Sequence, residues 1–485
     1  MKGDEHLSST IREKSFLFSS RSSIQEARTL VEKWRALGVA QYQAEPSPAG
    51  QDPGPVYLAW GNLEILKLPR AAVINSRKPK TNRPGDRWLR ITRRLTELAR
   101  RESMALVASL GERHYELAAC AAIENQGPLI LVLDGPLPLF TPEEKKIAFQ
   151  ERYGSFIVPG QTVLLSPFLP RRLPPLRSRK LVRDEAVIRL ADRLLAAEIR
   201  AGGHMERLLT GAIKQNRGIR VYRPDQFDSA TRGNRNLLAL GAEPWSEPGA
   251  TVSAGLEQAK KVETGAIQAG TKSSPPELGS YLIHFTRSCL GPWPGQSLFD
   301  YYRALIAEEE NAGHTAFDAL GRILEEGRLR GSGRLIRGQY PVVSFTALGL
   351  AGLENLIHWR RTLARWTVEP FGLAIDRRTL FELGARPVVY GDEDTWRRLP
   401  GDQRYRFQSR GSAGRDWPRE KEWRLAGDLD LKAVPEEKIR VIVPESKETA
   451  AVEARYGLKV ETLYRPWPQL SPARSRQGRS RPGLP

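Results

Sequence analysis

Apolar residues along this chain fall into short runs that alternate with segments of helical period, most clearly over residues 71–135. A four-residue run, Ala71 to Ile74, ends in a polar turn, Asn75-Ser76-Arg77. The segment WLRITRRLTELAR follows from Trp88. Its Leu89, Leu95 and Leu98 recur at roughly helical spacing, which predicts an amphipathic helix. Next come the run MALVASLG (104–111), a second helix candidate, ERHYELAACAAIE (112–124), and a third run, PLILVLDG (128–135). Strand, helix, strand, helix, strand is the order of a parallel, doubly wound sheet. Ligands of such sheets sit at the carboxyl ends of the strands. The residues there are Asn75, Ser76, Arg77, Ser109, Gly111, Asp134 and Gly135. Small and polar types let backbone N–H groups approach a phosphate, and a cation completes the seat. The same types also make ordinary turns.

The flanks extend the pattern. SIQEARTLVEKWRALG, within residues 15–40, predicts a helix that Ser22 or Ser23 caps and Gly38 ends. VYLAWGNLEILKLPR predicts a strand and a short helical turn. Thr141, with Glu144 three residues on, predicts a capped helix. TVLLSPF (162–168) reads as a further strand. A basic loop from Leu169 then leads to a helix candidate at 184–192, a strand candidate at 193–199 and the turn Ala201-Gly202-Gly203. A helix from Met205, the strand IRVYRP (219–224) and a terminal turn and helix in TRGNRNLLALGA (231–242) close this half.

Residues 246–279 are small, polar and poor in aromatics, a linker composition that marks a domain boundary. Beyond it, YLIHFT, PVVSFTAL, RWTVEPFGLAID, RPVVYG, EKEWRLAGDLDL and KIRVIVP read as strands around two helices. The expected fold class is thus α/β: a Rossmann-like doubly wound parallel sheet followed by a separate α+β domain. The expected domains are a helical extension (1–54), the sheet domain (55–245), the linker (246–279), the α+β domain (280–465) and a disordered basic tail (466–485).

Charge sharpens the picture. The 485 residues carry a formal net charge of +19. Such a field attracts polyanions, most often nucleic acid; basicity spread over the whole surface is the plainer alternative. The two cysteines, Cys120 and Cys289, lie far apart and neither has a CxxC partner. That argues against a zinc site or disulfide framework and fits a reducing cytoplasm. No run of 18 apolar residues and no signal-peptide core is present, so neither membrane insertion nor export by that route is expected.

Several ordered motifs over roughly residues 55–245 resemble the Rossmann-like domain of the DprA/Smf family of DNA-processing proteins. Asn75-Ser76-Arg77 matches that family's G-[ST]-R-type turn, with Asn75 in place of the glycine. Ser109-Leu110-Gly111 matches its second Gly-containing loop. Arg183-Asp184 matches its Arg-Asn segment, with Asp184 in place of the asparagine. Ala201-Gly202-Gly203 matches its Ser-Gly turn, and GNRNLLALGA its closing G-T-N-x-L-I-x-x-G-A segment. The resemblance implies a site for single-stranded DNA or a phosphate-bearing nucleotide, the latter being the ligand of the related SLOG superfamily. Arg77, Lys180 and Arg183 would hold phosphates, Ser76 would sit at the turn, and Gly111, Gly202 and Gly203 would supply backbone donors. It also implies homodimerisation through this half.

The second half remotely resembles the "HFT…EWR" proteins of bacterial abortive-infection systems of the AbiGi type and, more distantly, DarT-like ADP-ribosyltransferases. The matching positions are His284 and Thr286, Ser344 and Phe345, and Glu422 and Arg424. That resemblance implies NAD as a cosubstrate, with His284 on a ribose hydroxyl and Glu422 steadying an oxocarbenium-like centre. A core histidine and an ion-paired glutamate are the plainer readings of those residues. The preferred reading is a DNA-binding module in DNA processing or phage defence with an accessory or effector domain. The alternatives are an NAD-dependent transferase governed by a nucleotide-sensing first domain, and a defence protein whose first domain binds a signalling nucleotide.

Overall fold

The computed structural model describes residues 36–43, 55–78, 84–168, 173–247, 280–348, 359–360, 365–366, 368–409, 421–444 and 446–462. The chain divides into two compact units, Met1–Gln258 with Gly291–Ala312, and Ala259–Leu290 with Gly313–Pro485. Segment 291–312, which follows the expected boundary in the sequence, therefore packs in the first unit. The helix expected within residues 15–40, the linker and the basic tail lie outside the described residues, apart from Ala36 to Ala40 and from Ser246 and Glu247 at the start of the linker.

The first unit is built on a nine-stranded sheet: β1 (Val39–Gln43), β2 (Val56–Gly61), β3 (Arg70–Ile74), β4 (Ala105–Ser109), β5 (Leu129–Val132), β6 (Thr162–Ser166), β7 (Arg193–Ala196), β8 (Ile219–Tyr222) and β9 (Glu243–Trp245). Its spatial order is β1-β2-β6-β5-β4-β3-β7-β8-β9. From β6 to β9 every pairing is parallel, and β1 and β2 add an antiparallel edge. Helices α1 (Arg87–Arg101), α2 (Arg113–Glu124), α3 (Glu143–Tyr153), α4 (Leu176–Leu190), α5 (His204–Lys214) and α6 (Arg232–Ala239) connect the strands. A seventh, α7 (Leu298–Ala307), arrives from beyond the first unit's contiguous stretch and packs on α1 and α2.

Both faces of a parallel sheet are covered, so its strands are apolar throughout while alternate residues point to opposite sides. In β4, Leu106 and Ala108 join one core with Leu95, Leu117 and Tyr302, while Ala105 and Val107 join the other with Val187 and Leu209. The helices before β6 thus lie on one side, and α4 crosses beneath to the other. Strand order consequently reverses between β3 and β7. That switch point is where the loops after the two strands part and leave a crevice.

Three sequence expectations are corrected. Residues 176–183 begin α4 rather than a basic loop, because the Pro174-Pro175 pair sets up a helix start instead of excluding one. Pro142, not Thr141, stands at the cap of α3, and the Thr141 hydroxyl instead donates to the Pro138 carbonyl at 2.6 Å. IRVYRP does not hold the last strand of the half, since β9 pairs beyond it.

The second unit is organised around β10 (Tyr281–Phe285). Helix α8 (Ala316–Glu326) starts in a Thr315/Asp318 capping box and ends at Gly327 in the left-handed conformation. The strands that follow are β11 (Arg328–Leu329), β12 (Val342–Thr346), β13 (Trp359–Arg360), β14 (Arg365–Trp366), β15 (Gly372–Asp376), β16 (Arg386–Pro387), β17 (Val389–Gly391), β18 (Phe407–Ser409), β19 (Glu422–Ala426), β20 (Leu429–Asp430), β21 (Ile439–Val443) and β22 (Val460–Thr462). Six of them join β10 in one sheet in the order β16-β19-β12-β10-β15-β21-β22. It is antiparallel except for the pair β21–β22, and the expected strand over 365–376 is two separate pieces.

One side chain anchors the far side of the switch point. Asn234 in α6 is fully buried, accepts from the Ile199 amide at 2.7 Å and donates to the Ala197 and Tyr222 carbonyls at 2.6 and 2.7 Å. Replacing it with alanine strands three buried backbone groups, so Asn234→Ala should destabilise the first unit by about 2–4 kcal/mol. Urea unfolding measures this; a loss under about 1 kcal/mol would contradict the anchoring role.

Candidate nucleic-acid interface

The carboxyl tips of β3 and β7 are tied by polar side chains where the ladder ends. Ser76 donates its amide to the Glu198 carbonyl at 2.9 Å, and its hydroxyl accepts from the Arg200 amide at 2.9 Å. Asn75 is fully buried; it accepts from the Glu198 amide at 3.3 Å and donates to the Thr92 hydroxyl at 2.9 Å. A glycine there would leave those groups unmatched, which accounts for asparagine at the turn. The chain beyond Ser76 emerges at the surface with the Arg77 side chain 69% exposed.

A crossover helix runs antiparallel to the strands it joins, so the start of α4 comes to the same edge. One oxygen of Glu112 accepts from Lys180 Nζ at 2.7 Å and from Arg77 Nη2 at 3.0 Å. Burial pushes the Glu112 carboxyl upward, but Lys180, with Arg77 and Arg183 behind it, more than reverses this and holds it below the usual range. The Gly111 amide is taken by Glu116 Oε1 at 3.0 Å, and Glu116 Oε2 accepts from the Tyr302 hydroxyl at 2.6 Å. Gly111 and Gly202 have φ of +84° and +73°, left-handed corners that disfavour any side chain. The Gly202 amide donates to Glu206, and Gly203 packs beside the Ser76 hydroxyl.

Ser76, Arg77, Gly111, Lys180, Gly202 and Gly203 are thus gathered at one edge of the sheet. Arg183 reaches the edge but not its surface. It is 1% exposed, donates to Asp184 Oδ1 at 3.0 and 2.8 Å and to the Leu110 carbonyl at 3.3 Å, and lies 5.2 Å from the Tyr115 ring centre. The Tyr115 hydroxyl completes the group by donating to Asp184 at 3.2 Å. Expected as a phosphate holder, Arg183 is instead a buried strut under the Gly111 loop. Asp184 is the counter-charge that burial of Arg183 demands.

Sequence reading missed four residues of this edge. Lys78 and Arg87 both meet Glu198 at 2.6 Å, and burial lowers the Lys78 ammonium despite that carboxylate. Glu112 reads as an ordinary acid at a helix start, a favourable place beside the dipole, and nothing in the sequence says which cations will find it. His114 reads as helix interior. Its two ring nitrogens are buried with no hydrogen-bond partner among the described residues, and its ring centre lies 4.2 Å from that of Tyr115, tilted by 40°.

In the second unit the residues carried by the remote resemblance do not converge. Ile283 pairs with Thr346, and Thr346 with Glu422, so these three share one face of the sheet. His284 belongs to the other face, where it meets the Phe345 ring at 5.9 Å and lies 2.9 Å, through Nδ1, from the Ser344 carbonyl. Glu422 accepts from buried Arg424 at 2.9 and 3.2 Å, and the guanidinium also serves the Tyr405 and Phe407 carbonyls and Gln408. The Thr286 hydroxyl donates to the Ala316 and Phe371 carbonyls at 2.7 and 3.1 Å. Each is accounted for by packing or backbone support, and one-residue alternation separates His284 from Glu422. Among the described residues no helix is long and apolar enough to cross a membrane.

No family model matches the chain, and no curated protein matches it. Solved structures do resemble part of it. DNA processing protein A (DprA) from Streptococcus pneumoniae is 19% identical with a TM-score of 0.36, over 45% of this chain and 74% of that one. DNA processing protein A from Helicobacter pylori, which binds single-stranded DNA, is 19% identical with a TM-score of 0.33, over 42% and 90%. A molybdenum cofactor binding protein from Rippkaea orientalis is 14% identical with a TM-score of 0.24, over 37% and 88%.

The unpartnered histidine has a measurable cost. Burial, and then the charges of Arg183, Lys78 and Arg77, hold the His114 ring well below its ordinary value of 6.5. Below that pH the unfolded chain binds a proton here and the folded chain does not, so acid favours unfolding; above it both states are neutral. Stability should fall through this group by up to about 1.4 kcal/mol per pH unit below 6.5. His114→Phe should remove one proton's worth of that slope in denaturant titrations from pH 7 to 5. An unchanged slope would mean that the ring titrates normally.

Proposed function

We propose that the carboxyl edge of the first unit's sheet binds the phosphates of single-stranded nucleic acid, DNA in the first place, and that the protein acts in DNA processing. One observation carries the reading. At the switch point an exposed guanidinium, Arg77, and an ammonium, Lys180, converge on a single oxygen that an anionic group of the protein occupies. Two cations converging on one oxygen make a seat for a phosphate oxygen. The net charge of +19 supports a polymer over a small ligand, since long-range attraction grows with the number of phosphates. Backbone contacts of this kind carry no sequence code, so binding is expected to be insensitive to base sequence. In this reading Arg183 shapes the seat without touching the ligand, and the second unit is an accessory domain. Association of two copies through the first unit belongs to the same reading.

Fluorescence anisotropy with a labelled oligothymidylate tests it. Loss of a charge-assisted contact is worth roughly 1.5–3 kcal/mol, so Arg77→Ala should weaken binding more than about tenfold. It should also lower the slope of log K against log salt by about 1. A change below about twofold would remove Arg77 from the interface and the proposal with it. A mononucleotide bound as tightly as the oligomer would instead favour a nucleotide-signalling role in defence.

A further inference from the structure

Glu112 is the group that occupies the seat. It stands at the first position before α2, where a side chain commonly caps the helix, yet its carboxylate makes no bond to the helix backbone. The end of the loop is instead held by Glu116, which reaches back to the Gly111 amide. Only the Glu112 backbone carbonyl serves the helix, accepting from the Tyr115 and Glu116 amides at 3.0 Å each. Its side chain is thereby released to the cations, and it is 13% exposed beside an Arg77 that is 69% exposed. The oxygen that takes Lys180 and Arg77 at 2.7 and 3.0 Å stands where a phosphate oxygen with those donors would stand.

Resting on the phosphate-binding reading above, we infer that Glu112 is a tethered competitor that makes the site select polyanions over isolated phosphates. A phosphate that enters the seat must exchange one anion for another at the same two donors. The carboxylate is held by the chain, so it competes at a high effective concentration whatever the solution contains. A lone phosphate gains two contacts and displaces two. A strand can in addition lay another phosphate on the exposed Arg200, whose guanidinium reaches the Arg77 carbonyl at 3.1 Å, without displacing Glu112, so the competitor costs a strand less than it costs a lone phosphate. Glu112 is therefore a specificity-determining residue, and it cancels one of the seat's two positive charges until a polymer arrives.

The experiment compares full-length wild type, Glu112→Gln, Glu112→Ala and Arg77→Ala. Anisotropy reads labelled oligothymidylate, and competition reads thymidine monophosphate and inorganic phosphate. Either neutral variant at Glu112 should bind the oligomer about fivefold tighter or more. The monophosphate should gain by a larger factor, which narrows the preference for polymer. The salt slope should steepen by about 1, because a cation formerly paired within the protein now pairs with phosphate. If both variants, with wild-type circular dichroism, bind the oligomer no more tightly than wild type, Glu112 is not a competitor. Equal gains for monomer and polymer would leave it an inhibitor without selectivity and overturn the inference. Arg77→Ala separates the levels: its loss of affinity beside unchanged Glu112 variants sinks only this inference, and its failure to lose affinity sinks the reading beneath.

Discussion

Where β3 and β7 outrun their last ladder bonds, side chains must finish what the backbone began. Parallel strands at a switch point diverge, and each leaves amides and carbonyls that water cannot reach. Asn75, Ser76 and Asn234 supply the missing partners, and between them they engage backbone from Ala197 to Arg200 and the end of β8. Arg77 is exposed because Ser76 is fastened, and the Gly202-Gly203 corner stands beside it because Arg200 is fastened to Ser76. Loosening this join would move the cations relative to each other, and two charges that must meet one oxygen tolerate little movement.

The first unit was legible where apolar period decided the outcome. Runs at 71–74, 104–111 and 128–135 could be placed in a parallel sheet because they are apolar on both alternations, and the helix from Trp88 shows its inner face in Leu89 and Leu95. The start of α4 was not legible: RSRK carries no apolar period, and burial of that helix begins only near Arg183. Nor could sequence distinguish Arg77 from Arg183. Both are arginines beside small polar residues, and their fates diverge because one follows a strand and the other faces the sheet from a helix. In the second unit the strands were visible, but a one-residue change of face decides whether His284 and Glu422 meet, and composition carries no trace of it.

Basicity on this scale does not mean open cations at the site. Lys78, Arg77, Lys180, Arg87 and Arg183 each meet a carboxylate at the strand tips: Glu198, Glu112, Asp228 or Asp184. The buried members of that set hold the crevice's shape, as an isolated charge there could not survive desolvation. The exposed members can trade partners, since a pair screened by water is worth little. Shape and recruitment are thus divided between two populations of the same residue types, sorted by depth.

Helix α7 gives this arrangement an unexpected dependence on chain order. Its Tyr301, Tyr302 and Leu305 complete the layer over α1 and α2, and Tyr302 holds the glutamate that holds Gly111. Yet those residues come after β10 has already entered the other unit. No single scission therefore yields the first unit whole. A gene fragment ending before the linker would encode the sheet but not the tyrosine that steadies its glycine corner, so recombination can pass the two units on intact only by carrying them together.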